Sequence, residues 1–415
     1  MTLDRECEPM QANQLERREF LKQSSIGAAL ALSGGITNSA SASRAHHARA
    51  VIQLNLVGGP SQLDTWDPKP NAPSSIRGPF QPIATSVPGI PIAETFPRMA
   101  RWTHRYSLVR TLHHTEAPIH ETGLQLMQTG TFATDGSRVP HFAAVANQAL
   151  GMHPALPSWV VLPTPMGDTG VDIPQGQSVG DLGPSLDPFL LFGGADDLAY
   201  ADKIREDTFR WMNHHRVQPF PLSRMGREAI HLGQESPRVR ERYGRHTFGQ
   251  SCLVARKLVE TGVRFVTVNM FDTVFQKPSW DMHAYGGSLP VNFETYQNVI
   301  CPLFDQAFSS LLADLDERGL WDDVLVVATG EFGRTPKLNA RGGRDHWPGC
   351  WTGIVAGGGT KGGQVIGQSD ETASEPKDRP VSAGEWVATI LHQLGVSPSD
   401  SVSNGKKPMP IQELC

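Results

Sequence analysis

Carboxylate and imidazole side chains occur close together at several points of this 415-residue chain, and such groups bind metal ions or transfer protons. One pair is Asp281 and His283, which lie two residues apart. Side chains at this spacing in an extended segment point to the same side, so both could bind one ion. Their mixed oxygen and nitrogen donors favour zinc or manganese. A surface loop pair that binds no ion is the alternative.

A second group of candidates follows residues 324–329, an apolar and β-branched run that predicts a buried central strand. Glu331 and Arg334 come directly after this run, and Asp345 and His346 lie on a glycine-rich loop shortly afterwards. In an open parallel sheet, ligands bind beyond the carboxyl ends of the strands. We therefore expect Glu331 and His346 to be metal ligands, with Asp345 as a lesser candidate.

Two more predicted strands are followed by side chains of the same types. Residues 51–57 end in a glycine turn and precede Asp64, which suits a metal ligand, although an Asx-turn is a common alternative for aspartate in such a loop. Residues 106–112 precede His113, a lesser candidate, and His120, which begins a predicted helix. A neutral imidazole at a helix N-terminus could bind metal or attack a phosphoryl or sulfuryl centre. A lone histidine is more often structural.

The elements that must position these side chains predict an α/β fold. A predicted helix at residues 246–260 is followed directly by a predicted strand at 263–270, which is typical of a parallel crossover unit. We expect a mostly parallel central sheet in a single domain of residues 43–415. The pattern of predicted helices and strands is lost at about residues 163–237, which we interpret as a loop-rich insertion. Residues 293–319 predict one long helix, or a pair broken near Cys301-Pro302.

The N-terminus and the overall charge indicate where the protein acts. Residues 1–42 resemble a twin-arginine signal peptide, with Arg17-Arg18, a short weakly apolar run and a small-residue cleavage site. This predicts export by the twin-arginine translocase to the periplasm or the medium. No later apolar run is long enough to span a bilayer. The net charge of −5 gives no basic surface for nucleic acid. The four cysteines after the signal are compatible with disulfides or with buried thiols.

Several of these segments together carry a family resemblance that spans nearly the whole mature chain. They are Gly58-Gly-Pro-Ser-Gln-Leu-Asp64, residues 120–130, Trp280-Asp-Met-His283, Gly330-Glu-Phe-Gly-Arg-Thr-Pro336 and Gly343-Arg-Asp-His-Trp-Pro348. The chain resembles the DUF1501 family of twin-arginine-exported bacterial proteins, which is grouped with the alkaline phosphatase and sulfatase superfamily. The resemblance implies a three-layer α/β sandwich of the alkaline phosphatase type and a metal-dependent hydrolase of phosphate or sulfate esters.

The superfamily pattern also implies roles for individual residues. In the superfamily, the nucleophile lies ten residues before the glycine of a Thr-Gly pair. That position in this chain is His120, which would therefore be nucleophile, general base or ligand. Arg334 would bind the anionic ester oxygens through its planar fork. Where the superfamily has an Asp-His pair after the central strand, this chain has Glu331-Phe332. These departures keep an alternative open, in which the protein binds an anionic polysaccharide or serves a cell-surface assembly without turnover.

Overall fold

The structure is a computed structural model that describes residues 47–133, 136–153, 156–191, 231–397 and 408–415. The signal predicted for residues 1–42 lies outside these ranges, as do residues 192–230 of the predicted insertion. In the ranges described, no helix combines the length and apolar character that crossing a bilayer requires. The four described cysteines are free thiols.

The strands are short except at the centre of the molecule. They are β1 (Ala50–Asn55), β2 (Pro82–Ile83), β3 (Ile92–Ala93), β4 (Tyr106–His113), β5 (Trp159–Leu162), β6 (Phe189–Leu190), β7 (Phe265–Asn269), β8 (Val324–Thr329), β9 (Gly333–Arg334), β10 (His346–Trp347), β11 (Trp351–Gly357), β12 (Val365–Ile366) and β13 (Val381–Ser382).

In the described residues, one sheet of nine strands organises the fold, in the order β12-β4-β11-β8-β1-β7-β5-β6, with β13 also paired to β4. β11 runs antiparallel to both of its neighbours, and the other described pairs in this sheet are parallel. The short strands β9 and β10 form a separate antiparallel ribbon. The expected α/β fold with a mostly parallel central sheet is therefore confirmed.

Helices connect the strands. They are α1 (Ser74–Arg77), α2 (Met99–Trp102), α3 (His120–Thr129), α4 (Phe142–Leu150), α5 (Pro237–Tyr243), α6 (Thr247–Glu260), α7 (Phe293–Thr295), α8 (Cys301–Glu317) and α9 (Ala383–Gln393), with a π-helical turn at Tyr296–Ile300 and 3-10 turns at Thr103–Arg105, Pro184–Leu186, Leu232–Gln234 and Gln412–Leu414.

The central strand β1 shows why helices cover both faces of the sheet. All of its residues are buried, and successive side chains point to opposite faces. Val51 belongs to an apolar cluster that includes Trp386 of α9. Its neighbour Ile52 belongs to a different cluster, with Leu253 of α6 and Phe308 of α8. The sheet is thus the middle of three layers, as expected.

The helical segment that starts at Phe293 is interrupted near the predicted position. The π-helical turn at Tyr296–Ile300 separates α7 from α8. Pro302 is the second residue of α8 and follows this turn directly, and because it has no N–H it cannot donate to a carbonyl of the preceding helical turn. The proline therefore marks the start of the long helix rather than a kink within it.

Candidate metal centre

The candidate site lies beyond the carboxyl ends of β7, β1 and β8, which are neighbours in the middle of the sheet. Asp281 and His283 follow β7. Glu331 follows β8, and the β9–β10 ribbon sets His346 opposite Arg334 in register. The structure thus places these side chains at one edge of the sheet.

Two glycines allow the surrounding segments to approach each other closely. Gly58, after β1, has a φ of 109°, and a β-carbon there would lie 2.5 Å from the backbone nitrogen of Asp281. Gly123, in the first turns of α3, would place a β-carbon 2.7 Å from the carbonyl oxygen of Glu331. Because glycine lacks this carbon, the turn after β1, the segment after β7 and helix α3 pack around one point.

Four side chains direct donor atoms towards that point. Asp281 Oδ1 lies 3.2 Å from His283 Nε2 and 3.5 Å from His346 Nε2. The two imidazole nitrogens are 3.0 Å apart, and His120 Nε2 lies 3.6 Å from Asp281 Oδ2. Ligand atoms of His120, Asp281 and His346 lie within 4.8 Å of one another. Two ligands on a tetrahedral zinc ion would be ~3.4 Å apart, so these separations fit one ion.

Each of the three imidazoles is held at its other ring nitrogen by an oxygen acceptor. His120 Nδ1 lies 2.5 Å from Glu331 Oε1, and His283 Nδ1 lies 3.0 Å from Asp345 Oδ1. His346 Nδ1 lies 2.7 Å from the carbonyl oxygen of Pro118. Because carboxylate and carbonyl oxygens only accept, each Nδ1 carries a hydrogen, and each Nε2 is turned towards the shared point. Metal-binding histidines are held in this manner.

Two ligand atoms of the cluster, His120 Nε2 and Asp281 Oδ1, have no hydrogen-bond partner among the described residues. His120 Nε2 is buried and forms no hydrogen bond, although its ring is fixed on the opposite side by Glu331. A buried polar atom without a partner is costly and rare in native proteins. A cation beside Asp281 would provide that partner. The residues present therefore fit a bound divalent ion.

Two of the three imidazoles are neutral near pH 7, as metal binding requires. Burial lowers the pKa of His346 to about 4 and also lowers the pKa of His283, so both rings are neutral near pH 7. Burial alone would lower the pKa of His120 too, but Asp281 and Glu331 raise it to about 9. That ring attracts a positive charge at Nε2, which a proton or a metal ion can supply.

Arg334 is the cation that keeps Asp281 ionised. Burial alone would raise the pKa of the Asp281 carboxyl, but Arg334 and the neighbouring imidazoles hold it well below its usual range. Arg334 Nη1 lies 2.6 Å from Asp281 Oδ1. The fully buried guanidinium also donates to the carbonyl oxygens of Gly58, Gly59 and Arg344. Its donors are therefore engaged within the protein, and the structure does not present it to an ester as we had expected.

Asp64, expected to be a ligand, lies outside the cluster. Its Oδ2 accepts hydrogen bonds from Arg344 Nε at 2.6 Å and from the Ser61 hydroxyl at 2.5 Å. Its Oδ1 accepts from a second guanidinium nitrogen of Arg344 at 3.2 Å. Both members of this ion pair are fully buried. The structure thus uses Asp64 to neutralise a buried arginine, and its oxygens are already occupied.

Three further candidates also lie beside the cluster rather than in it. Glu331 and Asp345 each accept a hydrogen bond from the Nδ1 of a clustered histidine, so they orient ligands instead of supplying donor atoms. His113 ends β4, and its Nδ1 lies 3.4 Å from the carbonyl oxygen of Thr111. It is not among the described donors that converge. Of the residues predicted as metal ligands, Asp281, His283 and His346 come together.

Sequence reasoning missed three contributors to the site. Arg344 was visible as a charged residue next to Asp345, but nothing in the sequence linked it to Asp64. The Phe332 ring lies 5.0 Å from the ring of His120 and 4.5 Å from that of His346, centroid to centroid, and forms an aromatic wall. The Pro118 carbonyl could not be found from the sequence, because every residue has a backbone carbonyl.

Comparisons with known proteins add a family but no activity. Residues 48–208 and 192–412 match the family model described as "Protein of unknown function (DUF1501)". No curated protein matches the sequence.

Three solved structures show the level of structural similarity. The lipoteichoic acid synthase LtaP from Listeria monocytogenes is 9% identical, with 88% of this chain and 76% of that chain covered, at a TM-score of 0.41. The PsFucS1 sulfatase from Pseudoalteromonas sp. is 13% identical, with 88% and 70% covered, at 0.39. The alkaline phosphatase from the Antarctic bacterium TAB5 is 13% identical, with 84% and 99% covered, at 0.42. Likeness at this level carries no argument about activity.

Proposed function

This chain belongs to the DUF1501 family, and from its cluster of three histidines and an aspartate we propose that it is a metal-dependent hydrolase of phosphate or sulfate esters. One observation carries the proposal. Three imidazoles, each fixed at Nδ1 by an oxygen acceptor, turn Nε2 towards one buried carboxylate at the carboxyl edge of a parallel sheet. This is the edge at which such sheets bind ligands.

We assign His120, Asp281, His283 and His346 as the residues that would hold the ion. Three nitrogen donors and one oxygen donor favour zinc or manganese, whereas calcium prefers a shell of oxygens. When bound there, a divalent ion would polarise the ester oxygen and lower the pKa of a water molecule. Arg334 lies against Asp281 Oδ1, where a second ion would otherwise be attracted. We therefore expect one ion per chain.

The protein side chains have separate tasks in this proposal. Arg334 keeps Asp281 ionised, and Glu331 and Asp345 hold two of the imidazoles in the orientation that frees Nε2. His346 and His283 form the accessible side of the cluster, with 19% and 10% of their side chains exposed. An ester would therefore approach past these two residues.

The position of His120 supports a ligand rather than a nucleophile. Its side chain is 5% exposed, and its Nε2 faces Asp281 inside the cluster. A nucleophile must be reached by the substrate, whereas a ligand need only be reached by the ion. We expect water to attack the ester directly. In that step the water oxygen forms a bond to phosphorus or sulfur, the ester oxygen leaves with the bond electrons, and the water proton is released.

The test is elemental analysis and turnover of the same protein preparations. Wild type, His346→Ala and Asp281→Asn would be loaded with zinc or manganese and assayed on aryl phosphates and aryl sulfates. His113→Ala is the matched control, because it removes a histidine outside the cluster. Both site variants should lose the ion and the turnover, while the control keeps both.

Two other outcomes are informative. Unchanged metal content in both site variants would reject the metal centre. Metal binding without turnover of any ester would favour the alternative function, in which the protein binds an anionic polysaccharide or serves a cell-surface assembly.

We also propose that the protein acts in the periplasm or the medium after export by the twin-arginine translocase. The arginine pair, the short apolar run and the small-residue site within residues 1–42 support this. Replacing Arg17 and Arg18 with lysine should retain the protein in the cytoplasm. Export at the wild-type level would contradict the proposal.

A further inference from the structure

The mouth of the site carries an exposed arginine, Arg341, whose role is not explained by the metal centre itself. The two other arginines of the site, Arg334 and Arg344, are fully buried, and each is engaged by a carboxylate and by backbone carbonyls. Neither can meet an incoming anion. A guanidinium that recognises an anionic substrate must therefore lie elsewhere.

The loop that carries Arg341 is fixed directly to a proposed metal ligand. The Asn339 side chain donates to the carbonyl oxygen of His283 at 3.0 Å and to Asp345 Oδ1 at 3.1 Å. The same side chain accepts hydrogen bonds from the backbone nitrogens of Arg341 and Gly343, both at 3.0 Å. A β-carbon at Gly343 would lie 2.4 Å from the His283 carbonyl oxygen. The position of Arg341 is thus set by the segment that holds His283.

Tyr285 holds the guanidinium at the accessible side of the cluster. Its ring is stacked on His283 with 4.9 Å between centroids, and its hydroxyl donates to Asp345 Oδ1 at 2.8 Å. The guanidinium carbon of Arg341 lies 5.3 Å from the centre of this ring, and Nη1 donates to the Tyr285 carbonyl oxygen. Cation–π contact and one hydrogen bond fix the group while its other N–H donors stay open within the described chain.

We infer that Arg341 binds a second anionic group of the substrate, so that the preferred substrate is an ester carrying another sulfate, phosphate or carboxylate near the scissile group. A repeating anionic carbohydrate has this chemistry. The inference rests on the proposed hydrolase function, since it concerns the same site. The planar fork of arginine matches the paired oxygens of all three anions. The Arg341 guanidinium is fixed with the Tyr285 side chain between it and His283. A ligand of this site must therefore reach both Arg341 and the histidine cluster.

Paired substrates test this in the metal-loaded protein. An aryl phosphate or sulfate would be compared with the same ester bearing a ring carboxylate, in wild type, Arg341→Ala and Arg341→Lys. Wild type should prefer the carboxylated ester. Arg341→Ala should lower kcat/KM for that ester about tenfold to a hundredfold, mainly through KM, and leave the simple ester and the metal content nearly unchanged. Arg341→Lys should recover part of the loss.

Arg49→Ala is the matched control, because Arg49 is an exposed arginine just before β1, at the opposite edge of the sheet. It should behave as wild type. The inference is overturned if Arg341→Ala keeps the preference, or if Arg49→Ala loses it equally.

A binding measurement separates this inference from the hydrolase proposal. Calorimetry of the metal-loaded protein with inorganic sulfate and with a sulfated oligosaccharide requires no turnover. Arg341→Ala should weaken binding of the oligosaccharide and leave inorganic sulfate unaffected. Equal oligosaccharide affinity in wild type and Arg341→Ala would refute the role of Arg341 even if esters are hydrolysed. If Arg341→Ala loses affinity for the oligosaccharide but no ester is hydrolysed, the role of Arg341 is supported and the proposed hydrolase activity is excluded.

Discussion

Glu331 Oε1 lies 2.5 Å from Nδ1 of His120 and 2.8 Å from the backbone nitrogen of Gly58, so one carboxylate oxygen joins helix α3 to the turn after β1. Glu331→Gln should weaken zinc affinity about 10- to 100-fold, because the amide still accepts from Nδ1 but no longer strengthens the imidazole as a ligand. Competition with a chelator would measure this. The number of ions bound at saturation should not change.

A nearby carboxylate provides the control for that substitution. Glu121, the second residue of α3, accepts from the backbone nitrogen of Val171 at 2.8 Å, and its described side-chain hydrogen bonds go to Thr169, Val171 and Asp172. Glu121→Gln should leave zinc affinity within about twofold, since it lacks this link to a ligand. If Glu331→Gln instead abolished binding at saturating zinc, Glu331 would have to be a ligand itself.

The buried pair of Asp64 and Arg344 should matter for stability and not for the ion. Asp64→Asn leaves the guanidinium without its counter-charge and should cost about 3–5 kcal/mol of unfolding free energy, measured by denaturant titration. Metal content of the folded variant should equal that of wild type. The double variant with Arg344→Met should lose less than the sum of the single losses, because the two residues interact directly. Loss of the ion in the folded Asp64→Asn variant would show that Asp64 is a metal ligand.

Gly123 should tolerate no β-carbon. Alanine in a helix is usually stabilising by about 1 kcal/mol relative to glycine. At Gly123 its β-carbon would meet the Glu331 backbone at 2.7 Å, so α3 must shift and carry His120 away from Asp281. Gly123→Ala should therefore weaken metal binding. Gly384→Ala in α9, where the nearest atom at 3.2 Å belongs to the Pro408 side chain, is the control and should leave the ion bound.

Two histidines make the fold sensitive to acid. His141 Nδ1 accepts from the backbone nitrogen of Ala143 at 2.9 Å at the start of α4, and His246 Nδ1 accepts from that of Gly249 at 3.1 Å at the start of α6. Burial lowers the pKa of His141 to about 3 and that of His246 to about 4, against 6.5 in the unfolded chain. Their stabilising effect is complete above about pH 6.5 and is lost as the pH falls towards these values.

The size of this effect is measurable. For fully buried His141 the loss should be on the order of 2 kcal/mol between pH 7 and pH 5. Asparagine also caps helices, so His141→Asn and His246→Asn should each flatten the decline of Tm over this interval. Exposed His104→Asn should keep the wild-type decline. An unchanged slope in both cap variants would show that other groups control acid unfolding.

The edge of the sheet at which the site lies could be predicted from the sequence, because it depends on local patterns. Apolar β-branched runs indicated the central strands, and the rule for parallel sheets then placed Asp281, His283 and His346 beyond their carboxyl ends. The spacing of Asp281 and His283 also indicated that they act together. Each of these inferences used residues within a few positions of one another.

The contact partner of each carboxylate could not be predicted in this way. Asp64, Glu331 and Asp281 all follow central strands, and only their partners distinguish them. Asp64 pairs with Arg344, 280 residues away, and Glu331 with His120, 211 residues away. Which carboxylate meets a guanidinium and which meets an imidazole depends on how loops pack in three dimensions, and no local period encodes that.

The hydrogen bond from His346 to the Pro118 carbonyl spans 228 residues of chain. His346 must therefore have been synthesised before the third imidazole can take its place. In the proposed centre, ion capture then requires the chain as far as His346, and chains truncated before that residue should bind divalent ions poorly. The compartment in which the chain folds would then supply the pool from which the proposed ion is chosen.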